Sequence, residues 1–325
     1  MPNKYAVKKG WSIPKQHYKV SNWHDYNMAL RNRGDIEVWL SDEAIEQWYE
    51  KDRVYDGTGS PKKFSDFAII TCHEIRQVFR LPLRQCQGFI NSLFRLKNIS
   101  LACPDYSCLS KRLSSLEIKS PRYKKINQPN ENVAAIAIDS TGLKRFGRDE
   151  WHQEKHKVSA NRSWRKLHIA VDNKHIIHGA ALTDRFVSDS KPVVKLLDQI
   201  DCDASQFALD GAYDANSVYE NISAKFPGAE IVIPPSSKAK YNVDLHDQRN
   251  NNLQKIKTFG RMAWQKAMEY GRRNYAELCI QRYKKILGNK LHGIEMSRQR
   301  NEAMLGCGIL NKMTGLGMPK SYRYA

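Results

Sequence analysis

Five short apolar runs between Val133 and Pro234 limit what this 325-residue chain can fold into more than any other feature. They are Val133–Asp139 (VAAIAID), Trp164–Val171, Ile176–Thr183, Phe207–Asp210 (FALD) and Glu230–Pro234 (EIVIP), each of strand length. Asp172-Asn173-Lys174 joins the second and third as a hairpin turn. Ser190–Ile200 carries Val193, Val194, Leu196 and Leu197 on an amphipathic pattern and reads as a crossover helix. Asn216–Phe226 is also helical, and after a polar loop helical character returns from about Ala263 to Leu287. Three strands in succession, then helix alternating with strand, predict an α/β fold: a mixed sheet flanked by helices.

Two of these runs, the first and the fourth, end on carboxylates, Asp139 and Asp210. If those two strands are neighbours, the aspartates sit side by side. A third acid, Glu277, lies in YGRRNYAELCIQRYK, where Tyr270, Arg273, Glu277 and Lys284 stand at offsets that place all four within roughly 60° on one helix. A solvated face with intrahelical ion pairs would show the same four residues. The upstream aspartates favour a site instead. Three converging carboxylates repel unless a divalent cation joins them, and an all-oxygen donor set favours Mg²⁺ or Mn²⁺. Two such ions, roughly 3.5–4 Å apart, activate a water or a 3′-hydroxyl and stabilise the leaving oxygen in an in-line phosphoryl displacement. In this reading Asp139, Asp210 and Glu277 are the catalytic and metal-binding residues. Arg273 and Lys284 neutralise DNA phosphates, and Tyr270 stacks on the substrate or donates to it. Among competing acids, Asp172 belongs to a turn, while Asp184, Asp189, Asp198 and Asp214 sit in loops or at helix starts where capping explains them. Asp214 is also close enough in sequence to assist Asp210.

Charge points to the partner. Fifty-three Lys and Arg against 34 Asp and Glu give a formal net charge of +19, which predicts a polyanionic partner. Between Lys255 and Arg300 the sequence holds twelve basic residues and three acidic ones, so the helix bearing Glu277 lies in the most positive stretch. With no basic amphipathic helix, no apolar run of bilayer length and no secretory signal core, a cytoplasmic, nucleoid-associated DNA-binding protein is expected and a membrane partner is not. The seven scattered cysteines form no C-x-x-C pair, so reduced thiols are expected and zinc is not.

The remaining chain reads as flanking parts. Residues 1–60 form a basic arm with one short helix after Ser41; its Trp11, Tyr18 and Trp23 suit either DNA or packing on the next domain. Residues 61–120 carry three helices, the first capped by Ser65 and the third starting at Asp105, with Ser110, Lys111 and Arg112 facing outward. That pattern fits a small all-α helix-turn-helix-like DNA-binding domain and fits a plain three-helix bundle equally. Residues 121–132 are a linker, 133–310 the catalytic domain and 311–325 a C-terminal tail. Trp151 and Trp164 suit DNA wedging or hairpin packing.

These motifs resemble the bacterial insertion-sequence transposases of the DDE type, with an RNase H-like catalytic domain. The signature Y-x2-R-x3-E-x6-K is matched without a gap at Tyr270, Arg273, Glu277 and Lys284. AIDSTGLK around Asp139, ALDGAYD around Asp210 and RKLHIAVD from Arg165 to Asp172 are similar to the flanking motifs, and the likeness covers about residues 60–310. The resemblance implies metal-dependent cleavage at an element's terminal inverted repeats and joining of 3′ ends to target double-stranded DNA, by a homodimer or larger assembly on two DNA ends. One departure stands out: 235–262 is too short and polar for the β-rich insertion some relatives carry before the glutamate helix, which leaves a hairpin intermediate open. An RNase H-fold nuclease or resolvase, and a DNA-binding regulator with a relic site, are the alternatives.

Overall fold

The structure, a computed structural model, describes residues 17–51, 63–121, 132–145 and 164–324. Trp11, Trp151, most of the linker and residues 146–163 lie outside the described residues.

Strand β1 (His17–Val20) is followed by α1 (Trp23–Asn32), α2 (Ile36–Trp39) and α3 (Asp42–Glu46). This corrects the extended arm: Trp39, Leu40 and Trp48 are buried among the residues of the helices that follow. The helix expected after Ser41 is α3, with the Ser41 hydroxyl accepting from the Ala44 N–H at 3.4 Å. Next come α4 (Asp66–Val78), α5 (Leu83–Leu96) and α6 (Tyr106–Ser115). Ser65 caps α4 by accepting from the Ala68 N–H at 3.0 Å, and Asp105 caps α6 by accepting from Ser107 at 2.8 Å. Ile69, Cys72 and Ile75 of α4 meet Cys86, Ile90 and Phe94 of α5 and Leu109 and Leu113 of α6 in one buried cluster.

The remaining strands are β2 (Asn132–Val133), β3 (Ile136–Arg145), β4 (Trp164–Asp172), β5 (Ile177–Asp184), β6 (Asp203–Ala204), β7 (Gln206–Leu209), β8 (Glu230–Val232), β9 (Lys290–Leu291) and β10 (Ser321–Tyr324). The central sheet runs β5-β4-β3-β7-β8, with β9 pairing the far end of β3. β3, β4 and β5 pair antiparallel, whereas β7 and β8 run parallel to β3. The first and fourth long strands are therefore neighbours, as the two-aspartate reading requires, and the mixed order is RNase H-like.

Helices cover both faces: α7 (Val193–Leu197), α8 (Asn216–Lys225), α9 (Asp247–Phe259), α10 (Arg261–Ala267), α11 (Asn274–Ile286) and α12 (Met296–Leu316). On one face α7 and α8 bury Val193, Leu196, Val218 and Ile222 against Ile136, Ile138, Phe207 and Leu209. On the other, Cys279 and Tyr283 of α11 and Ala303, Cys307 and Leu310 of α12 pack on Leu167, Ile169 and Val171. The opposite side of α12, Leu305, Ile309 and Met313, completes the core of the N-terminal helices. Each such buried side chain is worth roughly 1.5–3 kcal/mol, so α12 joins the helical part firmly to the sheet. Close approach needs a glycine: a Cβ at Gly306 would lie 2.8 Å from the Tyr283 ring. α12 runs through the boundary expected at residue 311, and the tail beyond it ends in β10 rather than loose chain. Between 235 and 262 the described residues hold α9 and no strand. No helix among the described residues is long and apolar enough to cross a membrane.

Candidate active site

Asp139 is not at the end of its strand, as the sequence suggested, because β3 continues to Arg145. It is the parallel partner that ends. β7 stops at Leu209, opposite Ile138, so Asp139 and Asp210 emerge together at the carboxyl end of the parallel pair. Open α/β sheets bind their ligands at that edge. The Asp210 carboxylate is held in place as the cap of a 3₁₀ turn, Gly211–Tyr213, accepting from the Gly211 N–H at 2.7 Å.

The expected single helix from Tyr270 to Lys284 is two elements. Glu269 takes a left-handed φ of 47°, which breaks the chain after α10 and starts a 3₁₀ turn over Tyr270–Arg273; α11 begins only at Asn274. Arg272 pins this turn to the sheet, donating to the Ala134 carbonyl at 3.4 Å and to the Gln206 side chain at 3.3 Å. The turn aims Arg273 across the sheet edge. Its guanidinium donates to Asp139 at 3.2 Å and, from the other nitrogen, to Glu277. The side chains of Arg273, Asp139 and Glu277 are 18%, 16% and 25% exposed, so the pairing is neither sealed nor fully solvated.

Electrostatics show that the three acids share one environment. Burial raises the Asp139 pKa; the Ser140 N–H and Arg273 oppose that rise, and the charges of Asp210 and Glu277 add to it, leaving it above the ordinary carboxylate value. Burial disfavours the charge on Arg273, but Tyr270, Glu277, Asp139 and Asp210 together outweigh it and push its pKa up. Tyr270 packs on Trp264 with ring centroids 5.6 Å apart, and its phenol is pushed up to about 12, by burial first and then also by Asp210 and Asp139, against the opposing charge of Arg273. One guanidinium against three carboxylates leaves the cluster short of positive charge. Every group around it that meets a cation offers oxygen, the donor chemistry of Mg²⁺ or Mn²⁺. Among the described residues no three acids, histidines or cysteines are arranged to ligate one ion, since Arg273 itself stands between Asp139 and Glu277.

The neighbouring acids are already engaged. Asp214 is held by Arg249 through two hydrogen bonds of 2.9 and 3.0 Å, Asp184 pairs with Arg165, and Asp189 pairs with Lys166 at 2.9 Å. Asp214 is therefore committed to Arg249 rather than to Asp210. Lys284 lies half-buried seven residues past Glu277, ~10 Å along α11, and makes no described contact with the acids. On α6, Lys111 is exposed and Ser110 half-buried, but Arg112 turns inward, donating to the Phe64 carbonyl at 3.0 Å and pairing with Asp66. Trp164 is 48% exposed at the start of β4. A residue that pattern reading passed over is Tyr213: its hydroxyl is buried beside the Ser140 side chain, and burial, then the charge of Asp139, raises its pKa against the opposing effect of Ser140. Its place in ALDGAYD, three residues after Asp210, was the available signal.

Two family descriptions match the chain, both reading transposase DDE domain: one over residues 134–312, the other over residues 31–148. Among solved structures, a cryo-EM structure of a piggyBac transposase synaptic complex with hairpin DNA is similar over 87% of this chain and 73% of that one. Identity is 8% and the TM-score 0.39, too low to bear on this chain's fold or function.

Proposed function

The chain belongs to the DDE transposase family and is a DNA transposase, and from that premise we propose that Asp139, Asp210 and Glu277 are its catalytic carboxylates. One observation supports the assignment above the others: Arg273 donates to Asp139 and Glu277 at once while Asp210 stands beside them at the same sheet edge. The family implies dependence on a divalent metal. Asp139, Asp210 and Glu277 would hold it, two ions in the reading favoured here, and bound Mg²⁺ or Mn²⁺ would polarise the phosphoryl group and acidify the attacking hydroxyl. Arg273 keeps the carboxylates from repelling one another and carries the positive charge that a phosphate next to the scissile bond needs. Tyr270, fixed by Trp264, presents a phenol that stays protonated at neutral pH and donates to the same backbone. Lys284, Lys111 and Ser110 contribute phosphate contacts further along the DNA, and the α4–α6 helices are the sequence-reading element. Arg112 is bound to Asp66 and supports that element from within.

In this reading the protein binds the terminal inverted repeats of a mobile element, cleaves there and joins 3′ ends to target DNA, as a dimer or larger assembly. Purified protein with Mg²⁺ and a labelled element end bearing a free 3′-OH yields joined product with plasmid DNA. Cleavage without joining would replace transposition by a nuclease role.

A further inference from the structure

The chain's two ends pair into a small ribbon that the catalytic site does not explain. β1 and β10 run antiparallel, His17 opposite Tyr324, Tyr18 opposite Arg323, Lys19 opposite Tyr322 and Val20 opposite Ser321. Its base is stitched from both sides. The Ser21 N–H donates to the Lys320 carbonyl at 2.7 Å, the Lys320 N–H to Asn22 at 2.7 Å, and Arg33 to the Gly317 carbonyl at 3.1 Å. A two-stranded ribbon has little stability of its own and normally packs one face on a core. Among the described residues the face of His17, Lys19, Tyr322 and Tyr324 packs on no core, and every residue from Ser321 to Tyr324 and from His17 to Lys19 is exposed.

Its composition says what would cover it. Alternation puts His17, Lys19, Tyr322 and Tyr324 on one face and Tyr18 and Arg323 on the other. Lys19 already lies 4.7 Å over the Tyr324 ring, so cation and aromatic form one surface. Neither strand contains an acid, and the nearest in sequence is Asp25 on α1. A second copy of the same cationic ribbon would repel this one. An apolar partner would find no continuous apolar face. A polyanion finds cations and flat rings. Four residues per strand span ~13 Å, close to the ~12 Å width of the DNA major groove, which admits a two-stranded ribbon. The ribbon is also coupled to the catalytic helix: Arg282 of α11 donates twice to the Thr314 hydroxyl at 3.1 Å, three residues before the Gly317 carbonyl that Arg33 holds.

We propose that the β1–β10 ribbon is a second DNA-contacting element, docking the face that carries His17, Lys19, Tyr322 and Tyr324 on duplex DNA away from the carboxylates. This rests on the transposase reading, and the test separates the two. Binding of the full chain to a fluorescent duplex is measured by anisotropy across a salt series, for wild type, Lys19→Ala and Tyr322→Ala/Tyr324→Ala, with sedimentation of each free protein. Losing the Lys19 phosphate contact lowers the slope of log K against log salt by roughly 0.9 and weakens binding at low salt several-fold. The tyrosine pair weakens binding with the slope nearly unchanged, as the loss of uncharged contacts to sugar, phosphate and base edges does. All these residues are exposed, so a thermal melt matching wild type shows that the fold is intact. An unchanged slope and affinity in both variants overturns the proposal, and so does altered self-association with unaltered DNA binding, which would assign the ribbon to a second copy. Wild type that binds no duplex at all overturns the transposase reading instead.

Discussion

Two charged clusters sit three residues apart on the same β3–β4 ladder, and they are built on opposite principles. Asp139 pairs across from Ile169 and Asp172 from Ile136, which separates the two carboxylates by ~10 Å along the strands. Asp172 is saturated. Its Oδ1 accepts from the Lys174 and Ile176 N–H groups at 2.8 Å each, its Oδ2 lies 3.0 Å from His178 Nε2, and the His178 and Asp172 side chains are only 5% and 4% exposed. Burial alone would lower the His178 pKa, but the hydrogen bonds to Asp172 and Cys202 overcome it and raise it to about 9. One acid meets one base, and the turn between β4 and β5 is locked. At Asp139 two acids, Asp139 and Glu277, share a single guanidinium at a half-open edge, and Asp210 adds a third negative charge beside them. The balanced pair holds the fold, while the unbalanced one waits for charge from outside.

The largest effect that would break this contrast is on chemistry. Asp139→Asn, Asp210→Asn and Glu277→Gln each abolish strand transfer while duplex binding persists; retained joining in any one removes that residue from the site. Next in size is Asp172→Asn. Removing one partner of a buried pair costs about 3–5 kcal/mol, read by urea unfolding at pH 7, while the folded fraction keeps its strand-transfer activity. The sign of its pH dependence follows from His178. A folded pKa raised from 6.5 to about 9 means stability fully present below pH 6.5 and lost as pH rises through 9, so wild type and Asp172→Asn converge in stability at alkaline pH. A wild type whose stability stays flat across that window would remove the imidazolium from the account.

Smaller shifts sharpen the other half. The raised Asp139 pKa means that its ionised form is disfavoured in the fold, so stability falls as pH climbs through that value. Asp139→Asn therefore melts no lower than wild type without metal, and Mg²⁺ raises the melting temperature of wild type alone. Equal Mg²⁺ stabilisation of both proteins would place the ion elsewhere. Smallest is Gly306→Ala, whose methyl meets the Tyr283 ring at 2.8 Å and destabilises by about 1–3 kcal/mol through overpacking between α11 and α12. A neutral result would mean that α12 shifts freely on α11.

The same contrast explains what the sequence could reveal. The strands were legible because apolar runs are local, and it is the flanking motifs that single out Asp139, Asp210 and Glu277 as the proposed carboxylates. That β3 runs on to Arg145 was not, because it depends on nine residues of β4 persisting opposite while β7 ends at Leu209. α12 escaped because burial on both sides erases one-sided periodicity. Its buried Asn301 donates to the Leu113 and Leu116 carbonyls, and Glu302 accepts from the His292 and Gly293 N–H groups, so polar residues occupy core positions. α9 escaped for a related reason: Asn252 is buried between the Ile231 carbonyl and the Trp264 indole, where a pattern search expects an apolar side chain. Apart from α3, the arm was misread because α2 is too short to show a period, although Trp39 and Trp48 are core residues. The break at Glu269 depends on a backbone angle that no spacing rule encodes.

Replacing Mg²⁺ by Fe²⁺ in the DNA-bound protein and generating hydroxyl radicals at the metal tests the central claim most directly, because the backbone is cut only near the ion. Cuts clustered at residues 139, 210 and 277 together, lost in Asp139→Asn, are the expected result. Cuts at one of the three segments alone, or only at segments remote from all three, would contradict a shared metal site at the Arg273 cluster.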